Sequence, residues 1–132
     1  QAVTINSTFA SNNIALSGSS TIQMEYAGTY SFIYTAKVQN ADNEIRYADF
    51  WIKYNGVDYP NSTVRVAIPA RKNATDFFSM PVTVQLLDTA VNNGDKIQLY
   101  WRGTSTLLSL NYQTFGGVIP AQPSIRCQIH EV

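Results

Sequence analysis

A two-residue period runs through nearly the whole chain, and a sequence that repeats at every second position buries its apolar side chains only as extended strands in a sheet. Along Gly28-Thr29-Tyr30-Ser31-Phe32-Ile33-Tyr34-Thr35-Ala36-Lys37-Val38, the side chains of Tyr30, Phe32, Tyr34, Ala36 and Val38 share one face, and Thr29, Ser31, Thr35 and Lys37 the other. Ala48 to Tyr54 alternates in the same way and runs into Asn55-Gly56, a pair suited to the positive backbone angles of a tight turn. Val64 to Ile68, Met80 to Leu86, Lys96 to Trp101 and Leu107 to Leu110 follow as further strands between turn residues. No segment sustains an i, i+3, i+4 apolar pattern, and Gly, Pro and Asn interrupt the chain too often for long helices. The expected fold class is therefore all-β, an antiparallel sandwich or barrel.

The last segment, Pro120 to Val132, predicts a strand lying inside a sheet. Its alternation puts Ile125, Cys127 and Ile129 on a core face and Arg126, Gln128 and His130 on the opposite one. Cys127 is the only cysteine, which rules out an internal disulfide and makes a small buried core residue the simplest expectation. The N-terminal stretch 1–20 has a weaker pattern, with Val3-Thr4-Ile5 and Ile14-Ala15-Leu16 as short strands, and reads as an arm or edge attached to a domain over 21–132. With 132 residues the chain is sized for one core.

Composition narrows the partners. Nine basic and nine acidic side chains cancel, and charged residues make up only 14% of the chain, so no basic excess is available to hold nucleic acid or an anionic membrane. No apolar run approaches the roughly 20 residues of a membrane span, so no membrane insertion is expected. A near-zero net charge is compatible with close self-association.

Residues for catalysis are scarce. His130 is the sole histidine and faces away from Cys127 on the same strand, which leaves neither a nucleophile–base pair nor a histidine metal site within one chain. Asp42-Asn43-Glu44 and Asn92-Asn93-Gly94-Asp95 carry oxygen ligands, but their spacing fits polar turns better than a calcium loop. Glu25, Asp49, Asp58, Asp76 and Asp88 would serve glycoside hydrolysis only if two of them converged. The expectation is a protein without catalytic activity and without a cofactor. The triplets Asn6-Ser7-Thr8, Asn61-Ser62-Thr63 and Asn73-Ala74-Thr75 fit the glycosylation pattern, as chance alone produces in a chain so rich in these residues.

The order of Gly28-Thr29-Tyr30-Ser31-Phe32, a strand closing on Asn55-Gly56, then Gly94-Asp95-Lys96-Ile97-Gln98-Leu99 and a final apolar strand resembles the complement C1q and tumour-necrosis-factor family. Val57-Asp58-Tyr59-Pro60-Asn61-Ser62 and Pro120-Ala121-Gln122-Pro123-Ser124-Ile125 are similar to C1q-like modules of bacteriophage virion proteins. The Phe-Ser-Gly motif usual near the end of animal C1q domains is replaced by Phe115-Gly116-Gly117, which turns the resemblance away from the secreted animal branch. The resemblance implies a jelly-roll β-sandwich over about residues 28 to 132 that assembles as a homotrimer. It also implies that the Gly28 strand, the Gly94-Asp95 strand and the last strand form the inner sheet at the threefold axis. On that basis Ile33, Gln98, Tyr100, Arg102, Gln128 and His130 are the expected trimer interface, and three copies of His130 near the axis would make the trimer sensitive to acid.

Aromatic residues supply the other candidates. Tyrosine joins a flat apolar ring to a hydroxyl, and Tyr47, Tyr54, Tyr59 and Tyr112, placed at strand ends or in loops, are the expected surface for recognising a host glycan or protein. The implied role is a structural module on the virion surface, as a fibre or appendage head for host attachment. Capsid decoration that clamps neighbouring shell subunits is the close alternative, and a secreted, extracellular C1q-like or lectin-like binding protein the more distant one.

Overall fold

The structure is a computed structural model that describes residues 1–3, 14–17, 20–113, 116–118, 120 and 122–131, with the backbone alone at 14–17, 86–91 and 131. It is all-β, with every strand pairing antiparallel and no helix among the described residues. The strands are β1 (Ile14–Ser17), β2 (Thr21–Met24), β3 (Gly28–Asn40), β4 (Arg46–Tyr54), β5 (Val57–Asp58), β6 (Val64–Ile68), β7 (Phe78–Val91), β8 (Lys96–Gly103), β9 (Leu108–Leu110) and β10 (Ile125–Glu131). They form a six-stranded sheet in the order β1-β2-β8-β4-β5, with β6 also on β4, and a four-stranded sheet in the order β10-β3-β7, with β9 also on β3.

Alternation decides how the sheets meet. Tyr30, Phe32, Tyr34, Ala36 and Val38 of β3 and Val82 and Val84 of β7 are buried against Ala48, Phe50 and Ile52 of β4 and Ile97 and Leu99 of β8. Phe50 is fully buried and holds the sheets together, its ring 6.2 Å from Tyr34 across the interface and 6.2 Å from Trp101 on the neighbouring strand. Tyr34 carries its hydroxyl into this apolar layer, where it meets no hydrogen-bond partner among the described residues, and burial raises its pKa.

Loop chemistry holds the ends. Asn55 and Gly56 both have positive φ, 51° and 82°, which closes the β4–β5 hairpin as the Asn-Gly pair predicts. Asn40, fully buried at the end of β3, places its amide nitrogen within 3.0–3.2 Å of the carbonyls of Glu44, Ile68 and Pro69, while its oxygen accepts from the Asp42 backbone N–H. That one side chain ties the β3–β4 loop to the end of β6. Gly103 packs so tightly against β9 that an added Cβ would lie 2.9 Å from that of Leu108.

Several expectations change. Pro81 stands inside β7, tolerated because among the described residues β7 ends the sheet path and pairs only with β3. β2 and β5 lie where no strand was expected, and residues 1–3 run along β8, with Val3 N–H donating to Leu99 O. The proposed Val3-Thr4-Ile5 strand and the Asn6 triplet extend outside the described residues, as does Phe115, whereas Ile14-Ala15-Leu16 does form a strand. Among the described residues the last strand pairs with β3 alone, at the border of the sheet.

Cys127 is a correction of the same origin: it keeps the inward phase, opposite Tyr34, yet the residue is exposed instead of packed in the core. Burial nonetheless pushes the thiol pKa up to about 11.

Candidate functional site

The outward face of the six-stranded sheet concentrates the polar chemistry. With Ala48, Phe50 and Ile52 facing the core, Asp49, Trp51 and Lys53 must face out from β4. Register then decides their neighbours: Asp49 lies opposite Arg65 of β6 on one side and Arg102 of β8 on the other, and Trp51 lies opposite Tyr100.

Asp49 is 4% exposed and fully used. Its Oδ1 accepts from Arg65 Nε at 2.7 Å, and its Oδ2 accepts from Arg65 Nη2 and from Arg102 Nε, each at 2.9 Å. The Arg65 hydrogen bonds, followed by that of Arg102, hold the Asp49 carboxyl below the usual carboxylate range against the opposing effect of burial. Arg65 also lies over the Tyr47 ring, 5.4 Å from its centre.

One register step along, the rings of Trp51 and Tyr100 lie 5.7 Å apart, and Lys53 Nζ sits 4.8 Å above Tyr100. The Asn55-Gly56 turn folds Asp58 back beside β4, where its Oδ1 accepts a 2.9 Å hydrogen bond from the Trp51 indole N–H and lies 3.6 Å from Lys53 Nζ. Between these groups opens a solvent-facing recess of about 250 Å³, lined by Asp49, Trp51, Asp58, Tyr59, Thr63 and Arg102. Ser62 braces its wall, donating to Tyr59 O at 2.8 Å and accepting from Ile52 N–H at 3.1 Å.

Of the four tyrosines expected to serve recognition, Tyr54 and Tyr59 come together and Tyr47 and Tyr112 lie apart from them. Tyr59 lines the recess and Tyr47 lies exposed under Arg65, near the other end of β4. Tyr54 is half-buried, packed on Tyr59 with ring centres 6.1 Å apart, and its hydroxyl donates to Asp95. Tyr112 is exposed beyond β9, on the other sheet's connections. The residues missed from sequence are Trp51 and Arg65, while Asp49 and Asp58 were weighed there only as carboxylates for glycoside hydrolysis. Outward phase in β4 was a usable signal for Trp51, since it sets a large aromatic ring between an acid and a base on the solvent side.

The six expected interface residues divide between two surfaces. Ile33, Gln128 and His130 lie on the outward face of the four-stranded sheet, where Gln128 is opposite Ile33 and His130 opposite Ser31. Gln98, Tyr100 and Arg102 lie on the outward face of the six-stranded sheet, because β8 pairs with β2 and β4 and not with β3 or β10. A single face holding both Ile33 and Tyr100 is therefore not formed. The alternation was read correctly, but the sheet partner of β8 was not.

The other polar groups serve the turns. Asp95 accepts from Tyr54 and Asn55 side chains and from the Asn92 backbone N–H, and Asp42 accepts from Arg46 Nε at 2.7 Å, which lowers its pKa. Of the carboxylates weighed for glycoside hydrolysis, Asp49 and Asp58 border the same recess, and the Asp88 side chain lies outside the described residues. No group of three or more metal-ligating side chains occurs among the described residues. No protein-family model matches the chain, and no curated protein gives a significant match.

Proposed function

We propose that this chain is a non-enzymatic jelly-roll module that assembles as a homotrimer on a bacteriophage particle and engages the host surface there. The observation that carries the reading is the strand order. β2, β8, β4 and β6 lie in one sheet and β10, β3 and β7 in the other, and the repeated crossing of the chain between them supports the jelly-roll reading. The same chain has the Gly28, Asn55-Gly56 and Gly94-Asp95 segments in the order of the C1q-like family.

Assembly is assigned to the outward face of the four-stranded sheet. Ser31, Ile33 and Thr35 of β3 lie there half-buried, flanked by Thr83 and Gln85 of β7 and by Arg126, Gln128 and His130 of β10. This face is mostly neutral, with Ile33 at its middle, and suits coverage by a second copy better than a charged face does. Gln98, Tyr100 and Arg102 are reassigned to the opposite side, which stays open in such an assembly and takes the recognition role. Asp49 is disfavoured as an acid catalyst, because two arginines lower its pKa where a general acid needs a raised one.

Sedimentation equilibrium tests the assembly: the expected mass is three times 14.7 kDa, and a monomer mass at micromolar concentration overturns it. Cryo-electron microscopy of the parent particle with the chain labelled tests the location. Density at a fibre or appendage tip is expected, and density at threefold points of the head favours decoration.

A further inference from the structure

We propose that the recess on the outward face of the six-stranded sheet is a binding site for an acidic saccharide, with the sugar ring against Trp51 and its carboxylate on Arg102. The inference rests on the host-attachment reading and names the ligand class it would use.

Charge is the first argument. Two guanidinium groups share the single Asp49 carboxylate, so one positive charge in that cluster is left over. Arg102 spends only its Nε on Asp49, and its side chain is 65% exposed. Its terminal nitrogens are thus presented to the recess in a planar fork, the geometry that pairs with a carboxylate through two parallel hydrogen bonds. Asp49 fixes this fork from below, so little side-chain freedom is lost when a ligand binds.

Ring chemistry is the second argument. A sugar offers apolar C–H faces edged by hydroxyls, which calls for an aromatic surface beside hydrogen-bonding groups at its rim. Trp51 supplies the surface, and Asp58, Tyr59 and Thr63 border the same space, with the Tyr59 ring itself packed on Tyr54. The Trp51 ring is held in place before any ligand arrives, by its N–H bond to Asp58 on one side and by Tyr100 on the other. At about 250 Å³ the recess is smaller than the roughly 300–1,000 Å³ typical of drug-sized pockets and suits a single sugar ring of a longer chain. The lining residues come from β4, β5, β8 and the β5–β6 connection of one chain, so the site is complete without a second copy.

The test uses NMR on the 132-residue chain, whose two tryptophans give two indole N–H signals. Probes are a galacturonate hexamer, a mannuronate hexamer and sialyllactose, with methyl-esterified galacturonate hexamer and lactose as neutral counterparts. At least one acidic probe is expected to move the Trp51 signal and leave that of Trp101, which faces the core layer, in place. The neutral counterparts and Arg102→Gln should each bind about tenfold more weakly, as loss of a charge-assisted fork implies. Arg102→Gln leaves Asp49 its two bonds from Arg65, and Arg102→Lys, which keeps the charge without the fork, is the second variant should the first not fold. The proposal is overturned if none of the acidic probes shifts Trp51, if acid and ester bind equally, or if both Arg102 variants bind as the parent does. A trimer that binds none of the probes sinks the saccharide and leaves the assembly standing. A monomer that binds an acidic probe does the reverse.

Discussion

The two outward sheet faces of this molecule obey the same alternation and carry opposite chemistry. On the six-stranded sheet, Asp49, Lys53, Arg65 and Arg102 are joined to one another or to aromatic rings by cross-strand contacts. On the four-stranded sheet the outward neighbours are short and mostly neutral, such as the Thr35–Thr83 hydroxyl pair at 3.1 Å, with Ile33 between Gln128 and Gln85. A face of linked charges is at ease in water and expensive to cover, since each ion brought out of solvent pays desolvation. A face mostly of hydroxyls and amides around Ile33, with Lys37, Arg126 and His130 among them and few linked ion pairs, loses less on being covered. The contrast indicates which side suits assembly and which suits recognition, something neither composition nor net charge discloses.

The largest expected effect lies in the layer that both faces share. Phe50→Ala should lower stability by about 3–5 kcal/mol, the range for emptying a buried aromatic site, whereas Thr35→Ala on the outward face should stay within about 0.5 kcal/mol in the monomer. Comparable losses in a urea denaturation series would mean that inner and outer have been confused.

Next in size is a paired substitution that sets one face against the other. Ile33→Lys should weaken trimer formation by at least about tenfold, roughly 1.4 kcal/mol, while Tyr100→Lys leaves it unchanged. Sedimentation equilibrium checks both, and a reversed outcome would exchange the roles of the two faces.

Asp49 sharpens the ionic side. Asp49→Asn should cost about 1 kcal/mol at neutral pH through its weakened hydrogen bonds to the arginines. Because the folded-state pKa of Asp49 is depressed, its contribution is present above the unfolded carboxylate value of about 3.9 and is lost as pH falls through the folded value. The stability curves of parent and variant should therefore converge as pH falls through that folded value. Parallel curves across that window would show that Asp49 is not paired as described.

The smallest effect has the opposite sign. Tyr34→Phe removes a buried hydroxyl that no described group satisfies, and thermal unfolding should show a gain of up to about 1 kcal/mol. A loss would mean that the hydroxyl has a partner.

Much of the fold is legible in the sequence because strand alternation is local. The cores of β3, β4, β6, β8 and β9 fall where the period predicts, and the Asn55-Gly56 turn is where its chemistry requires. β5 was missed because two residues are too few to express a period, whereas β2 does alternate, with Ile22 and Met24 inward, and was legible. Cys127 was misjudged because phase specifies a face and says nothing of whether another strand covers the border.

By itself the sequence determined which side chains share a face: Tyr30, Phe32 and Tyr34 inward, Ile33 and Thr35 outward, Trp51 away from Phe50. A two-residue period is a property of each strand alone. Which strands lie side by side was decided only by the tertiary structure, since backbone pairing is nearly blind to side-chain identity and rests on how both sheets close over one core. Pairing of β4 with β6 and β8 brings Arg65 and Arg102, 16 and 53 positions away in sequence, onto Asp49, and pairing of β10 with β3 keeps His130 on a different surface from Tyr100.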